Sequence, residues 1–244
     1  PEPTVKTVLS FICALLFISS VVSATTKSPI ASGNWSDGTT WSAATLPSAT
    51  DTVVIPGNIS ITMNCNLTLA SLTINLGGAL NLVSGYTLTL NGGLIINGSL
   101  KMNGANITQN YISATFKLGS NASFEWEPGN NTVSGATLFT RSVENFAASS
   151  SLKIKKWYDY ANVPLASVVS GSFGNLTLNS VTSGNIYEWN QNNQFESHPI
   201  LGTLTVDQGW ITLDKSGSIS NTTIGNIVLL SSNSSLYLLR GNHA

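Results

Sequence analysis

An all-β chain wound as a right-handed parallel β-helix, a β-solenoid, is what this sequence predicts, and three observations predict it. Apolar residues recur in pairs at two-residue spacing, Leu72/Ile74, Leu80/Leu82, Leu88/Leu90, Leu94/Ile96 and Leu100/Met102, as in half-buried strands. Gly, Asn or Ser separates each pair from the next, so each strand runs into a turn. The first members of the pairs lie eight, eight, six and six residues apart. Three strands with their turns therefore use about 20 residues, in the range of solenoid repeats. Leu72 should stack under Leu94 and Leu80 under Leu100, and the right hand is the one that parallel crossovers favour.

The N-terminus carries Lys6 and then the apolar run Val8 to Val22, ending in Val22-Ser23-Ala24. That run is shorter than the roughly 20 residues that span a bilayer, and small residues follow it, so it reads as a secretory signal peptide, residues 1–24, cut after Ala24. No stable membrane span is expected after cleavage. The address is then extracellular or the cell surface. The opening on Pro1 and the close at Ala244 suggest a piece of a longer reading frame.

A polar linker, residues 25–32, leads to an N-terminal cap, residues 33–58, in which Trp35 and Trp41 flank an Asp-Gly turn. A solenoid exposes the apolar cross-section of its first coil and needs an atypical end piece to cover it. The tryptophans suit that lid better than sugar stacking. The solenoid itself is expected over residues 59–244.

The order GNWSDGTTW, then LPSATDTVVIPGN, then alternating Leu/Ile/Thr coils with Gly-x-Leu-x-Leu-Asn turns resembles the N-terminal part of the large secreted β-helix proteins of Bacteroidota. The resemblance implies export, usually with a C-terminal sorting domain, and a surface or adhesin-like role. Its motifs are structural, and it implies no catalytic residue.

From Ile59 to Leu69 the alternation is unbroken: Ile59, Ile61, Met63, Cys65, Leu67 and Leu69 should face the core as one strand, Cys65 as a small hydrophobe. A motif Gly-x-Leu-x-apolar-Asn/Asp begins at Gly92, Gly98, Gly174 and Gly202, and its Gly and Asn suit corners that need positive φ. Asn side chains at stacked corners could bond the coils above and below. Residues 111–172 are less regular, with strands expected at 115–118, 123–127, 137–141 and 152–157. Regular coils near 24 residues long return from Leu176.

Composition narrows the function. Charged residues are 9% of the 244, where about 25% is usual, so hydroxyls and amides must build the surface. The formal net charge is -1 and the arginines are Arg141 and Arg240. That balance argues against nucleic acid, whose binding needs a basic stripe to release phosphate counterions.

Glu125 and Glu127 flank Trp126, so a strand puts both carboxylates on one face, as glycoside hydrolysis requires. The plainer reading turns Phe124 and Trp126 to the core and the glutamates to water. A β-helix polysaccharide lyase would need clustered Asp ligands for calcium and a basic residue, and the 11 acidic residues are scattered. His198 and His243 stand singly, without zinc spacing, so no metal or cofactor is implied. The basic run Lys153, Lys155, Lys156 reads as a solvated strand face before it reads as an acidic-glycan site.

Aromatics among amides and acids occur in two segments, around Trp157 and Tyr160 and around Tyr187 and Trp189. Such a mixture suits sugars, whose apolar faces stack on rings while amides bind hydroxyls. These observations predict a structural, adhesin-like solenoid that binds extracellular polysaccharide or cell-surface glycan through those four residues. The alternatives are a carbohydrate-active enzyme on the same scaffold and an ice-binding protein using Thr-x-Thr pairs such as Thr87/Thr89.

Overall fold

The structure, a computed structural model, describes residues 24–109, 115–127, 146–157, 172–180, 186–188, 199–212, 224–232 and 234–237. Every ladder between its strands is parallel, and the strands stack coil on coil as a β-solenoid. One face joins Thr26–Lys27, Thr52–Ile55, Ser71–Ile74, Leu94–Ile96 and Phe116–Leu118. A second, short face joins Leu67–Leu69, Thr87–Leu90 and Asn106–Gln109. The long face runs from Gly33–Asn34 through Ser60–Met63, Ala79–Val83, Ser99–Asn103, Ser123–Trp126, Ser151–Trp157 and Asn175–Ser180 to Ile200–Thr212 and Ile224–Leu229. The strand Ile200–Thr212 turns a corner, and its last residues pair with Ile186–Glu188 and Ser234–Tyr237. Among the described residues no helix is long and apolar enough to cross a membrane.

The register matches the sequence arithmetic. Leu72 pairs with Leu94 and Leu80 with Leu100. Along the long face Leu100 pairs with Phe124, Leu152 with Leu176 and Leu204 with Ile227, giving coils of 24, 24 and 23 residues by subtraction. Phe124 with Leu152 and Leu176 with Leu204 give 28 each. The coils therefore alternate in length past Met102 instead of holding near 24.

Alternation buries both members of each apolar pair, as at Leu72 and Ile74, Leu80 and Leu82, and Leu94 and Ile96. Each such side chain contributes roughly 1.5–3 kcal/mol. In the middle coils the apolar column is aromatic. Phe116 meets Phe124 and Phe146 edge-on at centroid distances of 5.9 and 5.5 Å, and Phe146 meets Phe173 at 5.6 Å. At the far end Ile227 and Leu229 stack on Leu204 and Val206 but remain 44% and 49% exposed.

Three details differ from the sequence reading. Residues 59–69 form two strands, Ser60–Met63 on the long face and Leu67–Leu69 on the short one, with a corner between them. Cys65 sits at that corner, half-buried against the core, and burial pushes its thiol pKa up. The motif glycines are not at positive φ, which among the described residues occurs instead at Gly77, Gly85, Gly104, Gly209, Ala43, Ala44, Asn58 and Asn121. At Gly98 a Cβ would strike the carbonyl oxygen of Gly78, and at Gly174 that of Ser150. The motif glycine is there because the coil beneath comes too close for any side chain.

Corner amides do tie coils together, but to backbone and hydroxyls. Asn66 Oδ1 accepts the Thr87 N–H at 2.8 Å, and Asn175 Oδ1 accepts that of Thr203 at 3.0 Å. The strand expected at 137–141 lies outside the described residues.

At the N-terminal end Trp35 and Trp41 are each 1% exposed, their ring centroids 4.7 Å apart, and Trp41 Nε1–H donates to the Trp35 carbonyl at 2.9 Å. Both rings are packed into the core, so neither is open to a sugar. Within the expected cap, Gly33–Asn34 and Thr52–Ile55 already belong to the sheets. Asp51, 4% exposed, accepts the Thr25 N–H at 3.0 Å and hydroxyl at 2.6 Å on Oδ1, and the Ser48 N–H and hydroxyl, both at 2.8 Å, on Oδ2.

Candidate functional site

The outward side of the long face is where the chain gathers charge. Because Phe124, Trp126, Leu152 and Ile154 point inward, Glu125, Glu127, Lys153 and Lys155 must point out. Parallel register then stacks Thr62, Asn81, Lys101, Glu125, Lys153, Thr177 and Thr205 in one column.

Within that surface Lys155 Nζ lies 2.8 Å from Glu125 Oε2 and 3.6 Å from Glu127 Oε2. Lys101 Nζ approaches Glu125 Oε1 at 3.6 Å. Lys153 Nζ lies 3.4 Å from Asp207 Oδ2, which also accepts from Asn179 Nδ2 at 3.1 Å. Among the described side chains, three lysines thus meet three carboxylates.

The protonation states follow from these contacts. The Lys155 hydrogen bond, aided by the charges of Lys155 and Lys101, holds Glu125 below the usual carboxylate range against the opposing effect of burial. Glu125 in turn raises Lys155 above the ordinary lysine value. A catalytic acid needs its carboxyl pKa raised, and a catalytic lysine base needs its own lowered. Both shifts run the other way, so Glu125, one of the two carboxylates suggested for glycoside hydrolysis, is held ionised within an ion-pair cluster.

The pairs also tie Ser99–Asn103, Ser123–Trp126 and Ser151–Trp157 across their edges. A double-mutant cycle of Glu125→Gln with Lys155→Met is expected to give a coupling of about 0.5–1 kcal/mol in urea unfolding, as for partly exposed pairs. The depressed Glu125 contributes above the unfolded carboxylate pKa and loses its contribution as pH falls through its folded value; the raised Lys155 contributes up to its folded pKa. The coupling should therefore be constant between about pH 5 and 10 and shrink in high salt.

The glycan-binding candidates are only partly placed. Trp157 ends Ser151–Trp157, where its backbone pairs with Ser180, and Tyr187 lies in Ile186–Glu188, paired with Ile211. Their side chains, and all of Tyr160 and Trp189, lie outside the described residues. Trp157 pairs with Ser180 at the end of the long face, and Ile186 and Tyr187 pair with Trp210 and Ile211 just past Gly209, where Ile200–Thr212 turns, so the backbones of Trp157 and Tyr187 flank that corner.

Among the described residues no group of three or more His, Cys, Asp or Glu side chains could hold a metal ion. The cross-coil ion pairs escape sequence reasoning because a coil of 28 residues brings Lys153 beside Glu125, and irregular coil lengths cannot be read from spacing alone. Compared with protein-family models, curated proteins and solved structures, the chain matches none.

Proposed function

We propose that this chain is a structural, adhesin-like module of a secreted or cell-surface protein, of the kind its sequence resembles among the Bacteroidota β-helix proteins. The observation that carries the reading is the outward side of the long face. It is a column of hydroxyls, amides and charged side chains in which the described lysines and carboxylates pair with one another, which suits a rigid spacer and offers little to a highly charged partner. The corner bordered by Trp157 and Tyr187 is where apolar area could meet a neutral or mildly acidic glycan, with Tyr160 and Trp189 nearby in sequence.

Each stacked ring is worth about 1 kcal/mol, and several contacts must offset the immobilisation of a flexible ligand. Binding by one module should be millimolar, strengthened by avidity in an array. A glycan array followed by titration tests this. Trp157→Ala and Trp189→Ala are expected to abolish binding at unchanged Tm; loss of Tm without loss of binding would make the rings packing groups. Turnover of a polysaccharide that disappears in Glu125→Gln would favour the enzyme reading instead.

Ice binding has one observation of its own. Thr68, Thr89 and Thr108 stack in register on the short face, with Asn66, Thr87 and Asn106 beside them. Strands about 4.8 Å apart make that a small regular array of hydroxyls and amides. Ice-recrystallisation inhibition lost in Thr89→Tyr would support this reading, and its absence in the parent protein would end it.

A further inference from the structure

Asp51 is a buried carboxylate with four neutral hydrogen-bond donors and no countercharge. Among the described residues its partners are Thr25 and Ser48, and no lysine or arginine pairs with it. Buried charges are ordinarily paired. The Thr25 hydroxyl bond is the largest influence holding this carboxyl far below the ordinary range, so the group is ionised as it stands.

Thr25 is fixed from both sides. Its N–H and hydroxyl meet Asp51 Oδ1, its carbonyl accepts the Thr52 N–H at 2.9 Å, and Thr26 pairs with Thr52. Ala24 and Thr25 are exposed, so the bond between them lies at the surface. That bond is the one the sequence marks for signal cleavage.

We infer that Asp51 is a preformed receptor for the α-ammonium group of a chain beginning at Thr25, so that hydrolysis of the Ala24–Thr25 bond completes the N-terminal cap. In the uncut chain the Thr25 nitrogen is a neutral amide with a single hydrogen. A peptidase adds water across the bond: the hydroxyl goes to the Ala24 carbonyl, which leaves as a carboxylate, and the amine released at Thr25 takes up a proton. A cation with three donors then stands where a neutral N–H stood, 3.0 Å from Asp51 Oδ1. Nothing else needs to move. Ionised donors make hydrogen bonds roughly twice as strong as neutral ones, so processing tightens the strand Thr26–Lys27 onto Thr52–Ile55.

The inference rests on the export reading only for where the cut falls. Around the site, the strands Thr26–Lys27, Thr52–Ile55 and Ser71–Ile74 and the turn at 48–51 carry two charged side chains, Asp51 and Lys27. The pH dependence is therefore that of the amine and Asp51 beside one lysine. An α-ammonium raised above its ordinary value of about 7.7–8.0 contributes fully below that value and loses its contribution as pH rises through the folded pKa.

The test uses the full chain with a site-specific protease sequence placed immediately before Thr25. Three samples are compared: uncut, cut, and cut then acetylated at the Thr25 amine. At pH 6 the cut protein is expected to melt about 2–4 °C above both others, with the gap closing above about pH 9 and absent in Asp51→Asn. Acetylation without effect at pH 6, or a gap that survives in Asp51→Asn, overturns the inference. If Asp51→Asn does not fold, the acetylated sample alone decides. N-terminal sequencing of exported protein separates the two readings. A start at Thr25 supports both, whereas a start elsewhere ends the claim that export makes this contact, even if the melting gap is present.

Discussion

Leu94→Asp is expected to abolish cooperative folding. Leu94 is fully buried in Leu94–Ile96, between Leu72 on the coil below and Phe116 on the coil above. Truncating a buried leucine already costs about 2–5 kcal/mol. The substitution adds a carboxylate with no partner in an apolar column, whose desolvation costs several kcal/mol more or forces protonation. The sum approaches the whole stability of a typical domain, about 5–15 kcal/mol. Urea unfolding followed by far-UV circular dichroism should show no cooperative transition for Leu94→Asp, while Leu94→Val stays within about 1.5 kcal/mol of the parent. A parent-like midpoint for Leu94→Asp would mean that this position does not face the core.

Trp41→Ala should be the next most damaging change. It removes a ring packed 4.7 Å from Trp35 and the Nε1–H bond to the Trp35 carbonyl. Loss of a buried aromatic costs about 3–5 kcal/mol, and at this position it also uncovers the end of a stack whose coils rely on their neighbours. The melting temperature should fall by roughly 10 °C, at about 2–4 °C per kcal/mol for a chain of this size. Trp41→Phe keeps most of the packing but leaves the carbonyl unpaired, and should cost about 1–2 kcal/mol. Hydrogen exchange would locate the damage: protection should fall first at Gly33–Asn34 and Ser60–Met63. An effect of Trp41→Ala below 1 kcal/mol would rule out a lid.

The coils between Leu72 and Met102 were legible because each is short and regular, so spacing alone yields the register. The bend inside 59–69 was not. Met63 and Leu69 both face inward across a corner that preserves the two-residue parity, so alternation runs on through the turn and conceals it. The motif glycines were legible as corners but for the wrong cause, because contact with the coil beneath is a tertiary property that a local pattern does not carry. At the candidate site, the shared orientation of Glu125 and Glu127 followed from alternation. Their pairing with Lys155 and Lys101 required coil lengths of 24 and 28, which only the folded register supplies. Asp51 passed unnoticed because its partners, Thr25 and Ser48, have no signature in sequence.

The alternating coil lengths also set a mechanical scale. In the stack, each coil advances the axis by one interstrand spacing, about 4.8 Å. Pulled straight, a coil of 24 residues extends to roughly 80 Å. A module loaded through its two ends, as an anchored surface protein would be, can therefore yield one coil at a time, each giving some sixteen times the length that it occupied. The end sealed by Trp35 and Trp41 should resist longest. Such a rod behaves as a shock absorber, its slack stored in the coils beyond the tryptophan seal.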